Sequence, residues 1–152
     1  MMTSASMDSF RQVSRSSQGV EISALVTAGI SNARCAGDRA DWRTFQPDAN
    51  PTGTINIIIL TNATMSPAAM VESVMLATEA KTVAMRKLGL KSPVSGTIAT
   101  GTGTDAIAVA NGFGSGTIRY CGKHVLFGEM LASAVIEAIT ESLKIRMSEA
   151  RK

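Results

Sequence analysis

The segment Thr54-Ile-Asn-Ile-Ile-Ile-Leu-Thr61 decides the fold that the rest of the sequence has to fit. In an extended chain, Ile55, Ile57 and Ile59 point to one side and Ile58 points to the other. Apolar residues on both sides indicate that at least the second half of this strand is buried on both faces. The segment therefore predicts an internal strand of a layered domain.

A long helix is predicted directly after this strand. Ser66 is a good N-cap and Pro67 a good first helical residue. The helix should run to about Leu88, where Gly89 supplies a left-handed C-cap. An apolar stripe follows one face of this helix, at Met70, Val74, Ala77, Ala84 and Leu88.

The remaining elements are shorter, apart from a second helix. Alternating apolar residues predict a strand over 20–27, and further strands are expected over 94–100, 106–110 and 117–120. The second helix should run from about Lys123 to Lys144. The short links between the last three strands favour antiparallel hairpins, because a parallel crossover needs a dozen residues or more.

This order predicts an α+β fold, with a mostly antiparallel sheet and two long helices on one of its faces. Such a unit would form one half of an αββα layered sandwich. Residues 1–19 are Ser-rich and polar and are expected to be a flexible leader, with a single domain over 20–148. The sheet face opposite the helices would leave apolar side chains exposed to solvent. We therefore expect a homo-oligomer in which a second copy of the chain buries this face.

Composition excludes several classes of protein. The chain has 152 residues, 45% of them apolar and 18% charged, which indicates a globular domain and not a disordered chain. The formal charge of +3 comes without a basic stripe, so no nucleic-acid partner is expected. We expect no signal peptide, membrane span or metal site, and the two cysteines suit reduced thiols in a cytoplasm.

The most site-like segment is the loop from Thr100 to Asp105. Its glycines, Gly101 and Gly103, allow a close backbone approach, although a tight glycine hairpin without a function is also common. Asp105 would orient a base or activate water. Thr102 or Thr104 would act as the nucleophile or donate to a tetrahedral intermediate, together with the backbone N–H groups of the loop.

Two residues elsewhere have both a chemical and a structural interpretation. His124, the single histidine, would serve as general acid or base, because an imidazole exchanges protons near neutral pH; the alternative is a helix-capping histidine. Lys81 interrupts the apolar stripe of the first helix, so its ammonium needs a partner. That partner is a substrate carbonyl or an oxyanion, unless Lys81 extends from the edge of the core into solvent.

Five further residues are candidates for substrate binding. Asn32 and Asn62 close strands, where Asn usually serves turn chemistry but would also bind an amide-rich ligand. Trp42 would cover a flat ligand or anchor its own loop. Lys123 and Glu129 flank His124 and would contact substrate or remain solvated.

Five segments, taken together in their order and spacing, resemble the adenosylcobinamide amidohydrolase family. They are Leu25-Val-Thr-Ala-Gly-Ile-Ser-Asn32, Gly53-Thr-Ile-Asn-Ile-Ile-Ile-Leu-Thr-Asn-Ala63 with Ser66-Pro67, Ala77-Thr-Glu-Ala-Lys-Thr82, Ser95-Gly96 with Thr100-Gly-Thr-Gly-Thr-Asp-Ala106, and Tyr120-Cys-Gly-Lys-His124 with Phe127-Gly-Glu129. A weaker similarity to aminopeptidases and ornithine acetyltransferases hints only at paired sheets between helix layers.

The resemblance implies hydrolysis of the aminopropanol amide of adenosylcobinamide, or a related corrinoid, to give adenosylcobyric acid. It implies no cofactor, because the cobalt belongs to the substrate. Members are usually longer, so this chain is expected to keep mainly the C-terminal part. Two alternatives stay open: a non-catalytic corrinoid-binding or regulatory module of the same fold, and an amidohydrolase acting on another small amide.

Overall fold

The structure is a computed structural model that describes residues 5–42, 44–45 and 53–149, with side chains as far as residue 145. It is an α+β fold, as predicted. After a 3-10 turn at Met7–Ser9, the elements are β1 (Arg11–Ser17), β2 (Val20–Ala28), β3 (Ala33–Arg34), β4 (Ile55–Thr61), β5 (Thr64–Met65), α1 (Pro67–Lys87), β6 (Gly101–Thr102), β7 (Ala106–Ala110), β8 (Thr117–Ile118) and α2 (Leu126–Glu149).

The main sheet has four strands in the order β1-β2-β4-β7. The first two pairings are antiparallel, and β7 lies parallel to β4. The mostly antiparallel sheet was predicted, but the pairing of 106–110 was not. The chain crosses over through α1 between β4 and β7, so the expected hairpin between 94–100 and 106–110 is wrong. Residues 94–100 form turns around one isolated bridge between Lys91 and Ile98 instead of a strand.

The prediction of a flexible leader over 1–19 is wrong for β1, which pairs along its whole length with β2. Gln18 and Gly19 link the two strands, with φ angles of 51° and 76°. Two consecutive residues of positive φ form the tight turn whose twist suits a hairpin. Val13 is the one apolar side chain that β1 buries, which is why its hydrophobic pattern was too weak to predict a strand.

Both helices pack on the same face of the sheet. Ile22, Ala24 and Val26 of β2 and Ile57 and Ile59 of β4 are almost completely buried beneath them. This alternation is the period of two that the sequence predicted for β2 and β4. The core is therefore aliphatic and lies between one sheet face and the two helices.

The start of α1 follows the predicted capping chemistry. The Ser66 hydroxyl accepts from the Ala69 N–H at 3.1 Å, and Pro67 is the first helical residue. Gly89 has a φ of +64°, as a left-handed cap requires. By contrast, α2 begins at Leu126, three residues later than predicted, because residues 123–125 form a turn.

The opposite sheet face carries Leu25 and Ile58, which are half-buried, and Leu60, which is 39% exposed. Leu25 and Ile58 lie directly opposite each other in the register of β2 and β4. The homo-oligomer expected through this face stays a prediction. Neither helix in the described part of the chain is long and apolar enough to cross a membrane.

We expect Ile57→Ala and Ile58→Ala to differ sharply in a single chain. Ile57 is fully buried under the helices, so its truncation should lower the free energy of unfolding by about 2–5 kcal/mol. Ile58 faces the other way, and its truncation should cost about 1 kcal/mol. Urea denaturation measures both. Equal losses that depend on protein concentration would show instead that a second copy covers the Ile58 face.

Candidate active site

The tight turn over residues 100–105, which links β6 to β7 and is here called the glycine–threonine hairpin, is organised by the carboxylate of Asp105. Its Oδ1 accepts from the Ile55 N–H at 3.0 Å and from the Thr102 hydroxyl at 2.5 Å. Its Oδ2 accepts from the Thr102 N–H at 3.0 Å and from the Lys81 ammonium. Both oxygens are thus used twice, and Asp105 fastens the hairpin to the start of β4 and to α1.

Lys81 has the partner that its place in the apolar stripe required. It forms an ion pair with Asp105, and the two side chains are only 10% and 9% exposed. The sequence suggested a substrate carbonyl or an oxyanion as the partner, or else extension into solvent, and the partner in the structure is instead an internal carboxylate. A buried pair of this kind is costly to break, because either charge alone would remain desolvated.

Gly101 allows the hairpin to close over the ion pair. A β-carbon at this position would overlap Asp105 Oδ2 and would lie 2.7 Å from Lys81 Nζ. Any side chain would separate the backbone from the pair. Gly101 was predicted to belong to the site because glycine permits a close backbone approach, and the structure shows such an approach to the Lys81–Asp105 pair.

The backbone N–H groups of the hairpin are already engaged. The Thr102 N–H donates to Asp105, the Gly103 N–H donates to the Asn32 carbonyl at 3.3 Å, and the Thr104 N–H faces the Thr102 hydroxyl at 3.4 Å. An oxyanion hole built from these three groups, as the sequence analysis expected, is not formed in this arrangement. A substrate oxygen would first have to displace an internal acceptor.

Thr104 faces the segment before β4. Its hydroxyl donates to the Gly53 carbonyl at 2.8 Å, and its own carbonyl accepts from the Thr54 hydroxyl at 2.7 Å. These bonds fix the far end of the hairpin. The Thr102 hydroxyl donates to a carboxylate, whereas the Thr104 hydroxyl donates to a backbone carbonyl. Because a carboxylate can accept a proton, Thr102 is better placed for proton transfer than Thr104.

A pocket of about 210 Å³ opens on the other side of the hairpin. It brings together three residues that the sequence analysis proposed for substrate binding, namely Asn32, Gly103 and Trp42. Trp42 is 37% exposed. The remaining lining residues are Arg34, Cys35, Asp38, Ala40 and Asp41.

The wall of the pocket is fastened by Asp38. Its Oδ2 accepts from the Ser92 hydroxyl at 2.5 Å and from the Cys35 N–H at 2.7 Å. The Ser92 bond, followed by bonds from Ser95 and Cys35, lowers the pKa of the Asp38 carboxyl below its ordinary value of 3.8. These bonds attach the loop after β3 to the turn around Ser92, and an ion pair between Arg34 and Asp41 at 2.6 Å holds its far end.

Asn32 stands between the hairpin and the loop. Within the described residues, neither polar atom of its side-chain amide has a hydrogen-bond partner, although both are shielded from solvent. Only its backbone carbonyl is used, by Gly103. Asn62 differs: its amide accepts from the Glu21 N–H at 2.8 Å and donates to the Gly19 carbonyl at 3.0 Å, so turn chemistry accounts for it.

His124 is exposed in the turn before α2. Its neighbour Lys123 forms an exposed ion pair with Glu79 of α1 at 2.5 Å. Glu79 and Lys81 are two residues apart, so they point about 200° away from each other around the helix. The turn that carries His124 therefore lies on a different side of α1 from the Lys81–Asp105 pair. In the described structure, no hydrogen bond or ion pair joins His124 to Asp105.

Glu129 is exposed in the first turn of α2, where the described structure shows no side-chain bond for it. The catalytic role of His124 and the binding roles of Lys123 and Glu129 stay predictions. Among the described residues, no group of three or more His, Cys, Asp or Glu side chains is placed to hold a metal ion.

Comparison with known proteins identifies relatives. The profile of a family described as adenosylcobinamide amidohydrolase matches residues 1–151. An uncharacterized protein of Methanocaldococcus jannaschii is 36% identical over 157 residues, covering 94% of this chain and 61% of that protein. Adenosylcobinamide amidohydrolases of Methanosarcina mazei and Halobacterium salinarum are 34% and 31% identical, each over 82% of this chain.

The chain spans about half to three-fifths of the length of these relatives, since the latter two are covered over 58% and 51% of their own lengths. No solved structure matches significantly.

We expect Lys81→Met to lower the free energy of unfolding by about 3–5 kcal/mol, because it leaves the Asp105 carboxylate buried without a cation. Lys87→Met, at an exposed position of the same helix, should change it by about 0.5 kcal/mol or less. The double variant Lys81→Met/Asp105→Asn should recover part of the loss. Urea denaturation of all four proteins measures this. A Lys81 variant as stable as the Lys87 variant would contradict a buried pair.

We expect the loop that carries Asp38 to loosen in acid. Because the folded pKa lies below the ordinary value, the stabilisation is present above pH 3.8 and is lost as the pH falls through the lowered pKa. Trp42 is the single tryptophan, so its fluorescence reports on this loop. Asp38→Asn should remove the acid transition, whereas Glu141→Gln on α2 should preserve it. An unchanged transition in Asp38→Asn would rule out this carboxylate as its cause.

Proposed function

Since the chain belongs to the adenosylcobinamide amidohydrolase family, we propose that it hydrolyses the aminopropanol amide of adenosylcobinamide to give adenosylcobyric acid. The substrate class would be a cobalt corrinoid, and the products would be a carboxylic acid and an amino alcohol. No cofactor of the protein itself is needed in this proposal. The enzyme class would be an amidohydrolase acting on a linear C–N bond.

The observation that carries this proposal is the pocket beside the glycine–threonine hairpin. Its volume of about 210 Å³ lies below the roughly 300–1,000 Å³ that holds a drug-sized ligand. It suits one amide-bearing arm and not a corrin macrocycle. The ring would then lie outside, where the exposed face of Trp42 offers a flat apolar surface.

The hydrolysis itself requires water to attack the amide carbon and lose a proton, positive charge at the developing oxyanion, and a proton for the departing amine as the C–N bond breaks. Lys81 and the Thr102 hydroxyl are the chemical groups held at the hairpin, and Asp105 holds both. Asp105 thus acts as a positioning residue, since all its bonds are internal. His124 would accept the proton from the attacking water and pass it to the amine, which requires the turn before α2 to approach the hairpin in the substrate complex.

A non-catalytic corrinoid-binding or regulatory module is the second candidate. The specific observation in its favour is that Asp105 and the hairpin N–H groups are already engaged within the chain. A pocket without a free catalytic group would bind an arm and leave it intact. The third candidate, hydrolysis of another small amide, shares the same chemistry and differs only in the ligand.

Incubation of the purified protein with adenosylcobinamide, followed by mass spectrometry, should detect adenosylcobyric acid. His124→Ala should lower kcat by about 100-fold or more while corrinoid binding is retained, which is the effect expected of a general acid–base group. Glu141→Ala is the control, because it alters an exposed position of α2 that has no proposed role and should leave kcat within a small factor.

Three other outcomes separate the candidates. Corrinoid binding by the wild-type protein without product would favour the binding module. Product from short amides but not from adenosylcobinamide would favour the third candidate. Parallel loss of binding and turnover in His124→Ala would contradict an acid–base role.

A further inference from the structure

The side chain of Asn32 is enclosed without being bonded. A β-carbon at Gly53, whose φ is +95°, would lie 2.7 Å from Asn32 Oδ1. A β-carbon at Gly103 would lie 3.5 Å from Asn32 Nδ2. Glycines therefore leave room on both sides of the amide, yet neither of its polar atoms has a partner in the described part of the chain.

An unpaired amide of this kind lowers the stability of the fold. Its Nδ2 donor and its Oδ1 acceptor both lose their hydrogen bonds to water and form no hydrogen bonds within the protein in their place. Most buried amides avoid that cost, as Asn62 does with two internal bonds. Asn32 also forms part of the wall of the pocket. If the Asn32 amide forms its hydrogen bonds to a bound ligand, this explains both why it has no internal partner and why it lines the pocket.

We propose that Asn32 binds an unsubstituted carboxamide of the substrate. A side-chain amide presents a donor and an acceptor side by side. A primary carboxamide presents the complementary pair, so the two groups can form two parallel hydrogen bonds. A trans secondary amide carries its N–H and C=O on opposite sides and can form only one.

The inference rests on the proposed function and sharpens it. The bond to be cleaved is a secondary amide, which would lie at the Lys81 and Thr102 side of the hairpin, so the one arm that the pocket holds is a neighbouring arm of an amide-rich ligand. Asn32 is then a specificity-determining residue. Its amide must turn toward the pocket to meet the ligand, and no hydrogen bond among the described residues holds it back.

Binding of small amides tests this without hydrolysis. Ligand-observed NMR should show that the wild-type protein binds propionamide at least tenfold more tightly than N-methylpropionamide. Asn32→Asp, which replaces the donor by a second acceptor, should lose propionamide and gain propionamidine, whose cation offers two donors. Equal binding of both amides by the wild-type protein, or unchanged binding by Asn32→Asp, would overturn the proposal.

A second measurement holds even if Asn32→Asp folds poorly. Asn32→Ala removes an unpaired amide, so its Tm should equal or exceed that of the wild-type protein, while propionamide binding is lost. Asn62→Ala is the matched control: it removes two internal bonds, so its Tm should fall while propionamide binding persists. A comparable fall of Tm in Asn32→Ala would show a bonded amide and refute the inference.

The two proposals fail separately. Hydrolysis of adenosylcobinamide without preference for propionamide would overturn the role of Asn32 alone. Selective propionamide binding without hydrolysis would support that role and overturn only the proposed reaction.

Discussion

The ion pair between Lys81 and Asp105 is the constraint on which the site depends. It joins the carboxyl-terminal third of α1 to a hairpin of the sheet, in a place where either charge alone would be unstable. Asp105 also binds the backbone at Ile55 and Thr102. One carboxylate thus fixes the relative positions of α1, β4 and the glycine–threonine hairpin, and Gly103 of that hairpin forms part of the pocket wall.

Local signals in the sequence were sufficient for the elements that carry strong periodicity or capping residues. The alternation over 20–27, the isoleucines of β4 and the Ser66-Pro67 start of α1 all appear where they were predicted. Strand pairing was harder to predict. Residues 106–110 were identified as a strand, but their partner, β4, lies about fifty residues earlier, and a short preceding link gave no hint of a crossover.

The candidate site was predictable to the extent that single residues break a pattern. Lys81 stands out in an apolar stripe, and the structure supplies its partner. Asn32, Gly103 and Trp42 were proposed separately and prove to share one pocket. Arg34, Cys35 and Asp41 were missed, because Arg34 ends a strand of two residues and the other two lie in the loop after it, where neither periodicity nor a motif marks which side chains converge.

The direction of α1 has a consequence for the charge of the ligand. Since β4 runs away from the hairpin and α1 returns towards it, Lys81 reaches Asp105 from the carboxyl-terminal third of the helix. Many phosphate-binding folds do the opposite and offer the positive amino end of a helix. The amino end of α1 lies beyond the far end of β4 from the hairpin, so α1 offers no such anion-binding end there.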